Sequence, residues 1–292
     1  MDGHDTYGIQ GRGKYFMRKH RCRRVVFVSL AVIVALFLGA CSNRGPQINS
    51  EPAESAGEDS GDIRIGMTFD TFVLERWTRD RDVFVDTARK LGASVDVQTA
   101  NGDVEKQKRQ IEKFIEENMD AIVIVATDCY SLRDQVTAAR NKGIKVISYD
   151  RLIQGVQTDL YITVDNKSVG TLMAQNIKEK LPDGGNIVMI GGPETDSNSE
   201  DVISGFETEL GEERWDVIYK SHVKSWAPEN GVEAVADAFE GTEGEIDAIM
   251  CGNDGLAGNV IRSLSEQQLA GSVVVVAQDA DLEACQRIVE GT

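Results

Sequence analysis

IRIGMTFDTFVLERWTRDRDVF, residues 63–84, is the stretch whose reading decides the fold. Ile63, Ile65, Met67 and Phe69 form a short apolar run of strand length, and from Glu75 onward Val83, Phe84 and Ala88 recur at helical spacing among charged residues. That is a strand, a loop and a helix. In an open α/β sheet, ligands bind in the crevice beyond the carboxyl ends of the strands, and Asp70, Arg76 and Trp77 fall in or just after this first connection. An Arg fork beside an indole face suits a small polyhydroxylated ligand: the guanidinium donates paired hydrogen bonds while the ring covers a C–H face. A Trp at the start of a helix equally suits core packing.

Working outward, the same alternation continues. Residues 93–99 read as a strand and 103–117 as a helix with Ile111, Phe114 and Ile115 on one face. Residues 120–126 (DAIVIVA) are nearly continuous apolar sequence, the mark of a parallel sheet covered on both faces. A helix over 131–142 and strands over 145–149 and 160–164 complete a first lobe. The pattern then restarts with a helix over 167–181, a Pro182-Asp183-Gly184-Gly185 turn and a strand over 186–190. Segments 199–210, 217–222, 229–239, 246–251, 256–267 and 272–277 follow as helix, strand, helix, strand, helix and strand. The expected fold is therefore α/β, with two doubly wound parallel-sheet lobes over 62–165 and 166–292, joined near 164–167. A cleft between such lobes is a favoured ligand site.

The amino-terminal end has a different character. Arg18, Lys19, Arg21, Arg23 and Arg24 precede an apolar run over 25–37 and the small residues Gly39 and Ala40. A charged flank, a short apolar core and a small-residue end make a secretory signal, since a spanning helix wants about 20 apolar residues. Leu38-Gly39-Ala40-Cys41 resembles the bacterial lipoprotein lipobox, which implies cleavage before Cys41, a lipidated thiol and a membrane anchor. An uncleaved anchor helix is the alternative. Met17 opens a signal of usual proportions and is the alternative start. Residues 42–61, without aromatics and rich in Ser, Gly, Glu and Pro, read as a flexible linker with a reach of roughly 25 Å.

Charge and cysteine content narrow the function. The chain of 292 residues has a formal net charge of −17; residues 1–41 hold seven Lys/Arg against two Asp/Glu, so the remainder carries 24 against 46. A body that acidic is repelled by nucleic acid. Cys129, Cys251 and Cys285 are widely separated with no CxxC, which indicates neither a zinc site nor a disulfide framework, and Cys251 reads as a buried small hydrophobe. There is no P-loop and no HExxH, and of the three histidines only His222 lies in the body. A sugar-responsive repressor would need a basic helix-turn-helix ahead of Ile63, where a signal and an acidic linker stand instead.

Polar groups collect just past the expected strands: Arg76 and Trp77, Asp150 and Arg151, Asp196 and Asn198, Trp226, Asn253 and Asp254, and Asp279. Each has a plainer reading. Asp and Asn are common in turns and at helix N-caps, and Asp150-Arg151 is open to being a local ion pair. Asp196 and Asp279 could also be imagined as a glycosidase pair. Taken together, LERWTRDRDVF, QTANGD, YDR, ITVDN, GGPETDSN, WAPEN, GND and QDADL resemble the periplasmic sugar-binding proteins of ABC transporters, and among them those that take D-xylose.

The resemblance covers residues 63–292 and implies a type I periplasmic-binding fold holding a monosaccharide, D-xylose or a related aldose, between two hinged lobes. It implies no catalysis and no cofactor, and ABC permease subunits as partners; a sensor presenting sugar to a receptor is the alternative. Carried over by position, it implies that Arg76, Arg151, Asp196, Asn198, Asn253 and Asp279 hydrogen-bond the sugar while Trp77 and Trp226 pack against its ring. Two departures stand out. The family runs on past Thr292 through further elements that include a sugar-contacting lysine, so a truncated second lobe is expected, and Val73 stands where a basic residue is usual.

Overall fold

Strands and helices alternate throughout the computed structural model, which describes residues 63–211, 214–242 and 245–291. The signal segment, Met17, Cys41 and the 42–61 linker lie outside the described residues. The first sheet is built from β1 (Ile63–Phe69), α1 (Glu75–Lys90), β2 (Ala93–Thr99), α2 (Val104–Glu116), β3 (Ala121–Ile124), α3 (Arg133–Asn141), β4 (Lys145–Tyr149) and β5 (Leu160–Ile162). Its strand order is β2-β1-β3-β4-β5. Then come α4 (Asn166–Lys180), β6 (Gly185–Gly191), α5 (Ser197–Leu210), β7 (Trp215–His222), α6 (Asn230–Gly241), β8 (Ala248–Cys251), α7 (Asp254–Glu266), β9 (Val274–Val276) and α8 (Leu282–Glu290). The second sheet runs β7-β6-β8-β9, and every pairing in both is parallel. The expected α/β fold of two parallel-sheet lobes is what forms.

Period-2 alternation assigns each strand two duties. On β3, Ile122 and Ile124 enter a core with Phe114, Leu132 and Val136, while Val123 faces the opposite core. On β6, Ile187 and Met189 pack with Phe206 of α5, while Val188 and Ile190 face the other way. The shared core includes Met67, Phe69, Leu74 and Trp77 of the first lobe and Val188, Ile190, Trp226, Ile249 and Leu256 of the second. Both lobes belong to one compact unit. Cys251 is fully buried in that core.

Several boundaries shift from the sequence expectation for local reasons. α3 starts at Arg133 rather than 131 because Asp128 accepts from Tyr130 N and Ser131 Oγ, holding those residues in a turn. α5 starts at Ser197 rather than 199 because Asp196 caps it through Asn198 N. The chain leaves the first sheet at Ile162 and enters α4 behind Asp165, which caps through Ser168 N. α8 was not anticipated from the sequence.

Candidate functional site

In both sheets the first strand of the lobe is central and the chain winds away on either side of it, so the switch points lie at β1/β3 and β6/β8. Loops from these strand ends meet across one cleft. Cys129 N donates to Thr195 O at 2.9 Å, and Leu152 N to Ser197 Oγ at 3.2 Å. Between them lies a pocket of about 50 Å³. Arg76, Trp77 and Arg151 line it from the first lobe, and Asn198, Trp226, Asn253, Asp196 and Asp279 from the second. All eight residues singled out from sequence are thus brought to one place. Asp150, also marked from the sequence, lines it too, with Gln278 beside Asp279 and Asn166 at the start of α4, which the sequence reading missed as a site residue.

Arg151 is the tie between the lobes. Its Nη1 donates to Asp70 Oδ2 at 2.9 Å and to Ala126 O at 2.8 Å, both in the first lobe. Its Nε stands 2.7 Å from Asp196 Oδ2 of the second lobe, a close charge contact without hydrogen-bond alignment. Burial works against the guanidinium charge, but Asp196 and Asp70 overcome it and its pKa is raised. Asp150 and Arg151 do not form an ion pair with each other, because the Arg151 guanidinium is taken up by Asp70 and Asp196. Asp150 instead meets Arg76 Nη2 at 3.3 Å and accepts from Asn198 Nδ2 at 3.2 Å. Burial raises the Asp150 pKa against the opposing pull of Arg76.

Trp77 packs into the core and also lines the pocket. It is 1% exposed and sits edge-on to Phe69 and Tyr149, with ring centroids 6.0 and 6.3 Å away. The Arg76 guanidinium lies 4.2 Å from its ring centre. Asp80, one turn along α1, stands 3.5 Å from Arg76 Nη2 and accepts from Tyr149 Oη at 2.9 Å. Burial disfavours the Arg76 charge, yet Asp150 and Asp80 raise its pKa on balance.

Second-lobe groups are anchored to backbone. Asp196 Oδ1 accepts from Asn198 N at 3.0 Å and Oδ2 from Trp226 Nε1 at 2.9 Å. Each oxygen thus accepts one bond from its own lobe, which fixes the carboxylate and leaves it further acceptor capacity. Trp226 lies across the ends of β6 and β8, where Gly192 and Gly252 leave room for it; a Cβ at Gly192 would run into the indole. Asn253 Oδ1 caps α7 through Leu256 N at 2.8 Å. Asp279, at φ 110°, is half-buried, and burial pushes its carboxyl up to about 7 despite the nearby Arg76. Asp254 turns away, accepting from Asp281 N at 2.9 Å.

What the pocket leaves unpaired defines what it can take. Trp77 Nε1, Asn198 Oδ1 and Asn253 Nδ2 are buried without hydrogen-bond partners. Each such group costs about 1–3 kcal/mol until a ligand satisfies it. Two donors and an acceptor between indoles match a neutral ring bearing several hydroxyls.

A family model for the periplasmic binding protein domain matches residues 65–292. The D-xylose-binding periplasmic protein of Haemophilus influenzae is 38% identical over 242 residues, 82% of this chain and 73% of its own length. That of Escherichia coli is 38% identical over 235 residues, 79% and 71% of the two chains. Among solved structures, a Caulobacter myo-inositol binding protein bound to myo-inositol superposes with a TM-score of 0.75 at 23% identity, covering 80% of each chain. A Clostridium phytofermentans ABC transporter solute binding protein with bound beta-D-glucose gives 0.69 at 26% identity, covering 78% and 76%.

Proposed function

The chain belongs to the periplasmic binding protein family, and on that premise we propose that it is the sugar receptor of an ABC importer, taking D-xylose or a related aldose between its lobes and handing it to a membrane permease. The observation that carries this reading is the convergence of eight side chains from two lobes on one pocket in which buried donors and an acceptor lack partners. The likeness to D-xylose-binding proteins supports the pentose. In this reading Arg76, Arg151, Asp196, Asn198, Asn253 and Asp279 bond the hydroxyls, and Trp77 and Trp226 cover the ring faces. The chain binds and releases; it transforms nothing.

Size implies motion. A pocket of about 50 Å³ is small for a ring pentose, and in this reading the lobes part to admit the sugar and close over it. The hinge lies at 164–167, where the chain crosses between the 62–165 and 166–292 lobes, and the sugar-closed form is what the permease reads. The 1–41 segment directs export, and lipid on Cys41 holds the body to the outer face of a membrane through the 42–61 linker. Calorimetric titration with a panel of pentoses and hexoses tests the central claim: one-site binding of an aldopentose is expected, and no saturable binding by any aldose overturns it. Sequencing the mature amino terminus tests the anchor, which fails if residues 25–40 are retained.

A further inference from the structure

The cleft holds a second and larger space beside the inner pocket, a cavity of about 320 Å³, within the range of small-molecule sites. Arg151, Asp196 and Trp226 form a wall common to both. The rest of the lining comes from both lobes and mixes polar with apolar groups, among them Asn101, Thr127 and Val104 from the first and Lys224 and Ala227 from the second.

Thr127 is positioned rather than loose. The buried Gln107 of α2 accepts from Thr127 N at 2.8 Å and donates to Val125 O at 2.9 Å, which fixes the loop after β3. The Thr127 hydroxyl itself is buried without a partner. Asn101 Oδ1 accepts from Thr99 Oγ1 at 3.1 Å, leaving its NH₂ for a ligand. Lys224 brings a flexible donor on an exposed side chain. The charged groups around this space are mixed in sign, Asp70, Asp128 and Asp196 against Arg151 and Lys224, which favours a neutral hydroxylated ring that can bond to both kinds over a strongly charged ligand.

We propose that this vestibule is a second sugar subsite, so that a neutral disaccharide or glycoside binds with one ring in the inner pocket and the next ring against Trp226, Thr127 and Lys224. The inference rests on the proposed function and extends its ligand class from single sugars to linked pairs. The test is calorimetry of D-xylose and of a β-1,4-linked xylose disaccharide against the purified chain and its Thr127→Val and Lys224→Ala variants. The disaccharide is expected to bind within about tenfold of D-xylose. Each variant is expected to weaken the disaccharide about fivefold, the size of one net hydrogen bond, and to leave D-xylose within about twofold. A disaccharide more than about a hundredfold weaker than D-xylose, or variants that treat both ligands alike, would make the vestibule a solvent-filled entrance and overturn the subsite alone. A chain that binds no aldose overturns the proposed function and the subsite with it.

Discussion

The orders β2-β1-β3-β4 and β7-β6-β8-β9 trace the same path in the two lobes, yet the side chains they deliver to the cleft differ in kind. The first lobe supplies two cations, an indole and one carboxylate, Arg76, Arg151, Trp77 and Asp150, and the second supplies Asp196, Asn198, Asn253, Asp279 and Trp226. Their attachment differs as well. α1 has Leu74 at its N-cap with no side-chain cap bond, so Arg76 is held by other side chains, Asp80 and Asp150. In the second lobe Asp196 and Asn253 are themselves caps of α5 and α7. The ion pair of Arg151 with Asp196 therefore draws the lobes together, and the second lobe's contribution is welded to its own fold. Apart from Arg151, which joins the two sets, substitutions in the first lobe should act on closure and binding; those in the second should add a cost in stability.

The largest effect is expected at the residue that joins the two sets. Arg151→Ala leaves Asp70 and Asp196 buried beside an unfilled space, and removing one partner of a buried charge group costs about 3–5 kcal/mol. Denaturant unfolding should show that loss, and Asp70→Asn added to it should recover part, because one stranded charge disappears. A single Arg151→Ala that unfolds like the parent would show that the lobes are not coupled through it.

Trp226→Ala comes next. The indole is 8% exposed, and truncating it costs about 3 kcal/mol of packing, with a free Asp196 Oδ2 as a further penalty. Under the proposed function it also removes one wall of both cavities, so sugar affinity should fall severely while circular dichroism keeps its α/β shape. Unchanged affinity would take Trp226 out of the site.

These two residues mark how far the sequence could be read. Trp226 was legible because it follows a strand-like run and lies in WAPEN, and β3 because AIVI is apolar at every position of a strand covered on both faces. The Arg151–Asp70 contact was not legible, since the partners are 81 positions apart and only the fold brings them together. Nor was the pairing of Asp150 with Arg76 of α1 in place of its neighbour Arg151. The vestibule is assembled from Asn101, Thr127 and Lys224, three loop residues with no common spacing. α8 lay closer to hand: Leu282, Cys285 and Val289 recur at helical intervals, but nine residues with none fully buried carry little weight against a loop.

A pair of smaller substitutions sharpens the contrast between the lobes. Asn253→Ala should lower unfolding free energy by about 1 kcal/mol, the value of a lost N-cap, and weaken sugar binding as well. Arg76→Ala, whose side chain is 37% exposed, should weaken binding while shifting stability by less than about 1 kcal/mol. Denaturant curves without sugar and titrations with it separate the two quantities. Equal losses of stability from both would erase the distinction drawn between cap-bound and side-chain-bound groups.

The smallest effect concerns Asp279, and its sign follows from burial. The carboxyl is pushed up to about 7 in the folded chain, against about 3.9 when unfolded. Between those values the folded state holds the proton more tightly than the unfolded state does, so this group's contribution is most favourable below pH 4 and is lost as the pH rises toward 7. Asp279→Asn removes the titration, so the difference in melting temperature between parent and variant should drift in the variant's favour from pH 4.5 to 7.5. Sugar affinity should change over the upper part of that range, because a neutral carboxyl both donates and accepts whereas a carboxylate only accepts. Since Asp279 sits on the second lobe facing the Arg76 charge of the first, a melting difference that stays flat with pH would mean that Arg76 holds Asp279 ionised. The acceptor set of the second lobe would then be tuned by the first lobe's cation and not by its own burial.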